Sequence, residues 1–139
     1  MLLLAVLATV WLSDTAAYFA GRRFGKRKLA PAISPGKTWE GVAGALAAVT
    51  LYALAWAGLG SPASMPVAPD GTRSGALWIV PVLLALAVAG MIGDLFESLI
   101  KREAGVKDSG TLLPGHGGML DRIDALLAML PLAVLAFTR

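Results

Sequence analysis

Four stretches of this chain are almost unbroken runs of apolar residues: Leu2 to Ala20, Val42 to Gly60, Ala76 to Gly93 and Met119 to Phe137. Each comes close to the roughly 20 residues that a helix needs to cross a bilayer. Ser13 and Asp14 interrupt the first, and Pro81 sits in the third, where a transmembrane helix tolerates it better than a soluble one. The fourth carries Asp121, Arg122 and Asp124 in its first two turns. The pattern predicts an all-α integral membrane protein of about four transmembrane helices, organised as one domain over residues 1–139. A cleaved leader is the weaker reading of the first stretch. It has no charged segment before the apolar run, and its basic cluster follows instead.

Composition agrees. The chain is 57% apolar with a mean hydropathy of +0.72, above the roughly 45–50% apolar content of soluble domains. There is no cysteine, which excludes disulfides and thiolate metal sites. The net charge of +3 matters less than where the charges lie. Arg22, Arg23, Lys26, Arg27, Lys28 and Lys37 occupy the loop between the first two spans, and Lys101, Arg102 and Lys107 the loop between the last two. The middle loop, Ser61 to Gly75, carries only Arg73 and reads as a plain connector. By the positive-inside rule the two basic loops are cytoplasmic. This basicity belongs to membrane flanks and not to nucleic-acid binding. Eight of the nine acidic residues, all but Asp70, then fall at or near the same face.

Most of that acidity is packed into the stretch from Asp94 to Asp124. A polar island between membrane spans is costly unless it serves a ligand, water or protein partner. If the third helix continues past Gly93, then Asp94, Glu97, Ser98 and Lys101 share one face. Their oxygens suit Mg²⁺. In the plainer reading they form a solvated helix end braced by an Asp94–Lys101 or Glu97–Lys101 pair. Asp121 and Asp124 share a face of the next helix, and a cation between them and Asp94 would relieve their burial. The glycines at 115, 117 and 118 precede that helix and suit phosphate oxygens. His116 is a metal ligand, an acid/base, a phosphate donor or simply a hydrogen-bonding loop residue. Ser34-Pro35-Gly36-Lys37-Thr38 resembles the end of a P-loop, but the required upstream glycine is Pro31, so Walker A is excluded. Ser34, Lys37 and Thr38 still make plausible phosphate contacts. Asp14, inside the first span, must pair with Lys37 or join the cation cluster.

The segment SLIKREAGVKDSGTLLPGHGGMLDRID, Ser98 to Asp124, resembles the signature of the phosphatidate cytidylyltransferases, the CDP-diacylglycerol synthases. DTAAYFAGRRFGK and SPGKTWEG resemble further segments of that family. The resemblance implies a membrane-embedded catalytic domain that transfers CMP from CTP to phosphatidate. It implies Mg²⁺ with a second cation, Mg²⁺ or K⁺, held by Asp94, Asp121 and Asp124. Ser98 and Lys101 complete the catalytic set. Ser34, Lys37, Thr38, Arg102, Lys107, Asp108, His116, Gly117, Gly118 and Arg122 would contact substrate. The expected setting is the cytoplasmic face of a bacterial inner membrane, among membrane lipids, in a homodimer. Family members usually carry further N-terminal helices, so the chain corresponds to the C-terminal part of the family's domain. Two other readings stand beside this one, a CTP-dependent polyprenol or phytol kinase and a cation transporter.

Overall fold

The computed structural model describes residues 2–59, 78–106 and 120–137. Helix α1 runs Leu2–Phe24 and is followed by strands β1 (Lys28–Ala30) and β2 (Ser34–Thr38). Helices α2 (Trp39–Leu59), α3 (Ile79–Glu103) and α4 (Leu120–Phe137) complete the described chain. The four helices lie where the apolar runs predict them. α1 and α3 continue beyond the predicted limits, past Ala20 and Gly93, and α2 begins earlier, at Trp39. At 1.5 Å per residue the 25-residue α3 is about 38 Å long, more than the roughly 30 Å hydrocarbon core. Its polar end therefore projects beyond the apolar layer.

Among the described residues, α1, α2 and α3 are long and apolar enough to cross a membrane, and Ile123–Phe137 of α4 is a shorter apolar helix. Their outer faces carry exposed side chains such as Trp11, Leu51, Ile92 and Leu135. In water such a surface would aggregate; in lipid it is solvated. This is an integral membrane protein. The interior mixes small residues with a few large aliphatic ones. Val6, Val10, Val49, Ala53, Ile79, Leu83, Ala87 and Met129 draw all four helices into one core.

α1 and α2 approach closely through small side chains. A Cβ on Gly41 would come within 3.0 Å of the Ala17 carbonyl oxygen, and one on Gly44 would collide with the Ala20 methyl. α3 and α4 meet in the same way: a Cβ on Gly93 would lie 2.6 Å from the Ala128 methyl, and one on Gly90 2.7 Å from Met129 Sδ. Van der Waals contact between small residues is how helices associate where lipid supplies no hydrophobic drive.

The link between α1 and α2 is more than a loop. β1 and β2 pair antiparallel, Lys28 with Thr38 and Ala30 with Ser34. Thr38 ends the hairpin and caps α2: its buried Oγ1 accepts a hydrogen bond from Gly41 N at 3.1 Å. Trp39 N donates to Arg27 O at 3.0 Å, and Arg27 N donates to the Glu40 carboxylate at 3.3 Å. Glu40 stands in the first turn of α2, where the helix dipole favours negative charge. The far end of α3 is closed as firmly. Gly105, at φ +70°, donates to Arg102 O, and Val106 N donates to Lys101 O at 2.9 Å. This is a Schellman stop, and it needs the left-handed conformation that glycine adopts freely.

Substitutions at three positions test this scaffold. Gly44→Leu should lower stability by about 1–3 kcal/mol through overpacking against α1. Gly58→Leu, where an added Cβ meets nothing, should leave thermal unfolding in detergent unchanged. Thr38→Ala should remove about 1 kcal/mol through the lost cap, and Thr38→Ser should restore it, read by the same unfolding assay.

Candidate active site

The polar ends of α1 and α3, the hairpin and the first turns of α4 converge at one end of the bundle. The contact that joins them is an ion pair between Lys37 Nζ on β2 and Asp94 Oδ2 on α3. Lys37 Nζ is buried, and both side chains are largely covered, at 26% and 34% exposure. Asp14 on α1 stands within electrostatic reach of both partners. The two alternatives for Asp14 are thus joined, since it neighbours the lysine and the carboxylate cluster together.

One turn further along α3, Glu97 pairs with Lys101 at 3.3 Å, the i,i+4 brace of the plainer reading. The other proposed brace does not form, because Asp94 reaches across to Lys37. Nor is the helix end wholly solvated. Glu97 is buried, and its neighbours among the described residues are the Lys101 ammonium and the Asp124 carboxyl. The Asp124 carboxyl neighbours those of Glu97 and Asp94, and Asp124 Oδ1 also accepts from Ala125 N at 2.6 Å. The close packing of Gly93 on α4 brings these carboxylates together. The Cβ that Gly93 lacks would lie 3.4 Å from Asp124 O.

A cavity of about 400 Å³ opens beside the ion pair. Asp14, Arg22, Lys28, Lys37 and Asp94 are its charged lining, Ser13, Tyr18 and Thr38 are also polar, and Val10, Ala17, Leu29, Val42, Ala87, Met91, Ala125 and Met129 are apolar. Val10 on α1 and Ala87 and Met91 on α3 lie one to two turns deeper than Asp14 and Asp94 on the same helices, so the deep part of the cavity is apolar, whereas at the bundle end Ala17, Leu29 and Val42 stand among the charged residues. Arg22 is oriented by Tyr18: its Nη1 donates to the Tyr18 hydroxyl at 2.7 Å, and the guanidinium lies 5.9 Å from the ring centroid.

The predicted residues divide into three groups. Lys37, Thr38 and Asp94 line the cavity, and Asp124 stands beside Asp94. Ser34, Ser98, Lys101 and Arg102 lie outside its lining. Ser34 is paired in the hairpin, and Arg102 Nε donates to Ile33 O at 3.4 Å, tying the end of α3 to the hairpin turn. Thr38 is also committed locally as the cap of α2. Lys107, Asp108, His116, Gly117 and Gly118 lie outside the described residues, as do the side chains of Asp121 and Arg122. Sequence reasoning did not single out Arg22 and Lys28 as site residues, treating them as part of a basic anchor. The Tyr18–Arg22 spacing of one helical turn was the available signal.

Hard oxygen donors dominate this end, in Asp94, Glu97 and Asp124, and that chemistry fits Mg²⁺. The buried Glu97 carboxylate, whose Oε2 has no cationic partner among the described residues, adds to the fit. Among the described residues no three such side chains are grouped closely enough to hold a metal ion. The position at Asp94 is taken by the Lys37 ammonium.

The profile of the Cytidylyltransferase family matches residues 1–138. A phosphatidate cytidylyltransferase of Haemophilus influenzae is 50% identical over 130 residues, covering 94% of this chain and 43% of the relative. One from Pseudomonas aeruginosa is 51% identical over 131 residues, covering 94% and 45%. Another, from Bacillus subtilis, is 44% identical over 126 residues, covering 88% and 42%. The chain spans less than half the length of these curated relatives. A solved structure, described as an intramembrane enzyme for archaeal membrane lipid biosynthesis, superposes with a TM-score of 0.65 at 20% identity. It covers 96% of this chain and 77% of the solved one, a likeness of fold. With a profile match along nearly its whole length and polar segments gathered around one intramembrane cavity, this chain belongs to the cytidylyltransferase family.

Proposed function

We propose that the protein containing this chain transfers CMP from CTP to phosphatidate, giving CDP-diacylglycerol and pyrophosphate. The observation that carries the reading is the two-sided cavity at the Lys37–Asp94 pair, charged at one end and apolar toward the membrane interior. A lipid phosphate and a nucleoside triphosphate are both polyanions, and one of them is anchored in lipid. A site that joins them needs cationic side chains at the membrane boundary and an apolar recess beside them. The relatives named above, which carry this activity in their names, support the same reading.

In this reading Lys37, Arg22 and Lys28 neutralise phosphate oxygens and orient them. Mg²⁺, held by Asp94 and Asp124 with Asp121 as the expected third ligand, would supply further charge neutralisation at the phosphates. The phosphatidate phosphate is already deprotonated near neutral pH, so its oxygen is a competent nucleophile without a base. It forms a bond to the α-phosphorus of CTP as the bond from that phosphorus to the bridging oxygen breaks, and pyrophosphate departs in line. The rate then comes from alignment and charge stabilisation. The site faces the cytoplasm, where CTP is dissolved, and the Lys/Arg-rich hairpin supports that orientation. In this reading the membrane is a bacterial inner (plasma) membrane, and a homodimer is the assembly expected.

The test supplies labelled CTP, phosphatidate and Mg²⁺ to the detergent-purified protein and measures CDP-lipid. Asp94→Asn and Asp121→Asn should each reduce the rate by about 100-fold or more. Phosphorylation of a prenol alcohol from CTP, with no CDP-lipid formed, would overturn the reading in favour of a lipid-alcohol kinase. Cation flux into liposomes without CTP would favour a transporter.

A further inference from the structure

We infer that Lys37 is an internal cation that holds the Asp94 carboxylate until a divalent metal displaces it, and that the released ammonium then serves the phosphates of the nucleotide. The inference rests on the metal assignment proposed above and adds a role for Lys37 that precedes substrate binding.

Four observations converge on it. Lys37 Nζ is buried, and the Asp94 carboxylate is its ion-pair partner. The Lys37 ammonium holds Oδ2 of Asp94, so a divalent metal on that oxygen has to compete with it for the same lone pairs and the same negative charge. Both residues line the cavity, so the ammonium can leave Asp94 without leaving the site. Asp14 lies within electrostatic reach of Lys37, which gives the displaced charge a second carboxylate on the other wall. Finally, Lys37 stands on a short strand whose end is fixed by the Thr38 cap and by the Trp39–Arg27 hydrogen bond. The backbone beneath it is held, and only its long side chain needs to swing.

The physical reason for such a device is the price of carboxylates at the membrane boundary. Asp94, Glu97 and Asp124 are neighbours, and they repel one another unless a cation is present. Lys101 serves Glu97, and Lys37 serves Asp94. An internal ammonium keeps the empty site folded. It also makes metal binding and phosphate binding cooperative, since the metal frees the side chain that the nucleotide recruits. A metal that binds only when the pair is open has its apparent affinity lowered by the open fraction. If the pair is closed in about nine of ten empty molecules, the loss is about tenfold.

Mn²⁺ binding to the purified protein in detergent, followed by electron paramagnetic resonance without nucleotide, tests the first half. Lys37→Met should bind Mn²⁺ about tenfold more tightly than the parent protein, whereas Asp94→Asn should bind it far more weakly. Lys37→Gln provides the same comparison if the methionine variant does not fold. The second half is read on the unaltered protein by amine labelling and mass spectrometry. Lys37 should label slowly in the empty protein, faster with Mn²⁺, and slowly again when CTP is added to the Mn²⁺-loaded protein. Asp94→Asn should label fast without metal. Weak Mn²⁺ binding in Asp94→Asn together with unchanged or weaker binding in the Lys37 variants overturns the hand-off and leaves the metal site standing. Unaltered Mn²⁺ binding in Asp94→Asn overturns the metal assignment itself. Lys37 labelling that does not respond to Mn²⁺ overturns the release step.

Discussion

The ion pair between Lys37 and Asp94 is the contact on which the polar end of this bundle depends. Carboxylates on three different helices meet where the apolar layer gives way to water, and few arrangements of bare negative charge are stable there. Lys37 reaches them because the chain between α1 and α2 is a hairpin and not a slack loop. The hairpin ends on the Thr38 cap, and its base is tied to the first turn of α2 by Arg27 and Glu40. The lysine is thereby presented from the side of α1 and α2, whereas Asp94 is presented from α3. The site is a seam between two helix pairs.

The small residues of the scaffold serve this seam. Gly41 and Gly44 let α2 lie against Ala17 and Ala20, which sets the width of the cavity wall holding Asp14 and Arg22. Gly93 lets α4 approach α3 at the level of Asp124, which brings a second carboxylate beside Asp94. Bulk at any of these positions would separate the helices and the charged groups together, so packing and chemistry are coupled at single residues. Many large apolar side chains, among them Trp11, Leu51 and Ile92, are turned outward to lipid, while Ile79, Leu83 and Met129 fill the centre.

Much of this was legible in the sequence. The apolar runs give the helices, and the placement of Lys and Arg brings the polar segments to one end. The i, i+3, i+4, i+7 spacing of Asp94, Glu97, Ser98 and Lys101 held because α3 does continue past Gly93. The hairpin was not legible: its strands have three and five residues, include Pro35 and Gly36, and show no alternation of apolar and polar positions. Asp94's partner was not legible either. Local spacing favours Lys101, two turns along the same helix face, and only the three-dimensional fold shows that Lys37 is nearer. Thr38 read as a phosphate contact, although a threonine directly before an apolar run is also the mark of a helix cap.

In the proposed mechanism Asp94 is the point where cation and phosphate chemistry meet, with Lys37 exchanging between the two. The most direct test is a crystal structure of the protein with Mn²⁺ and a non-hydrolysable CTP analogue, using anomalous scattering to locate the metal. The expected result is a metal peak against Asp94 and Asp124, with the Lys37 ammonium turned from Asp94 onto a phosphate oxygen. A metal bound away from Asp94, with the Lys37–Asp94 pair intact beneath the nucleotide, would contradict it.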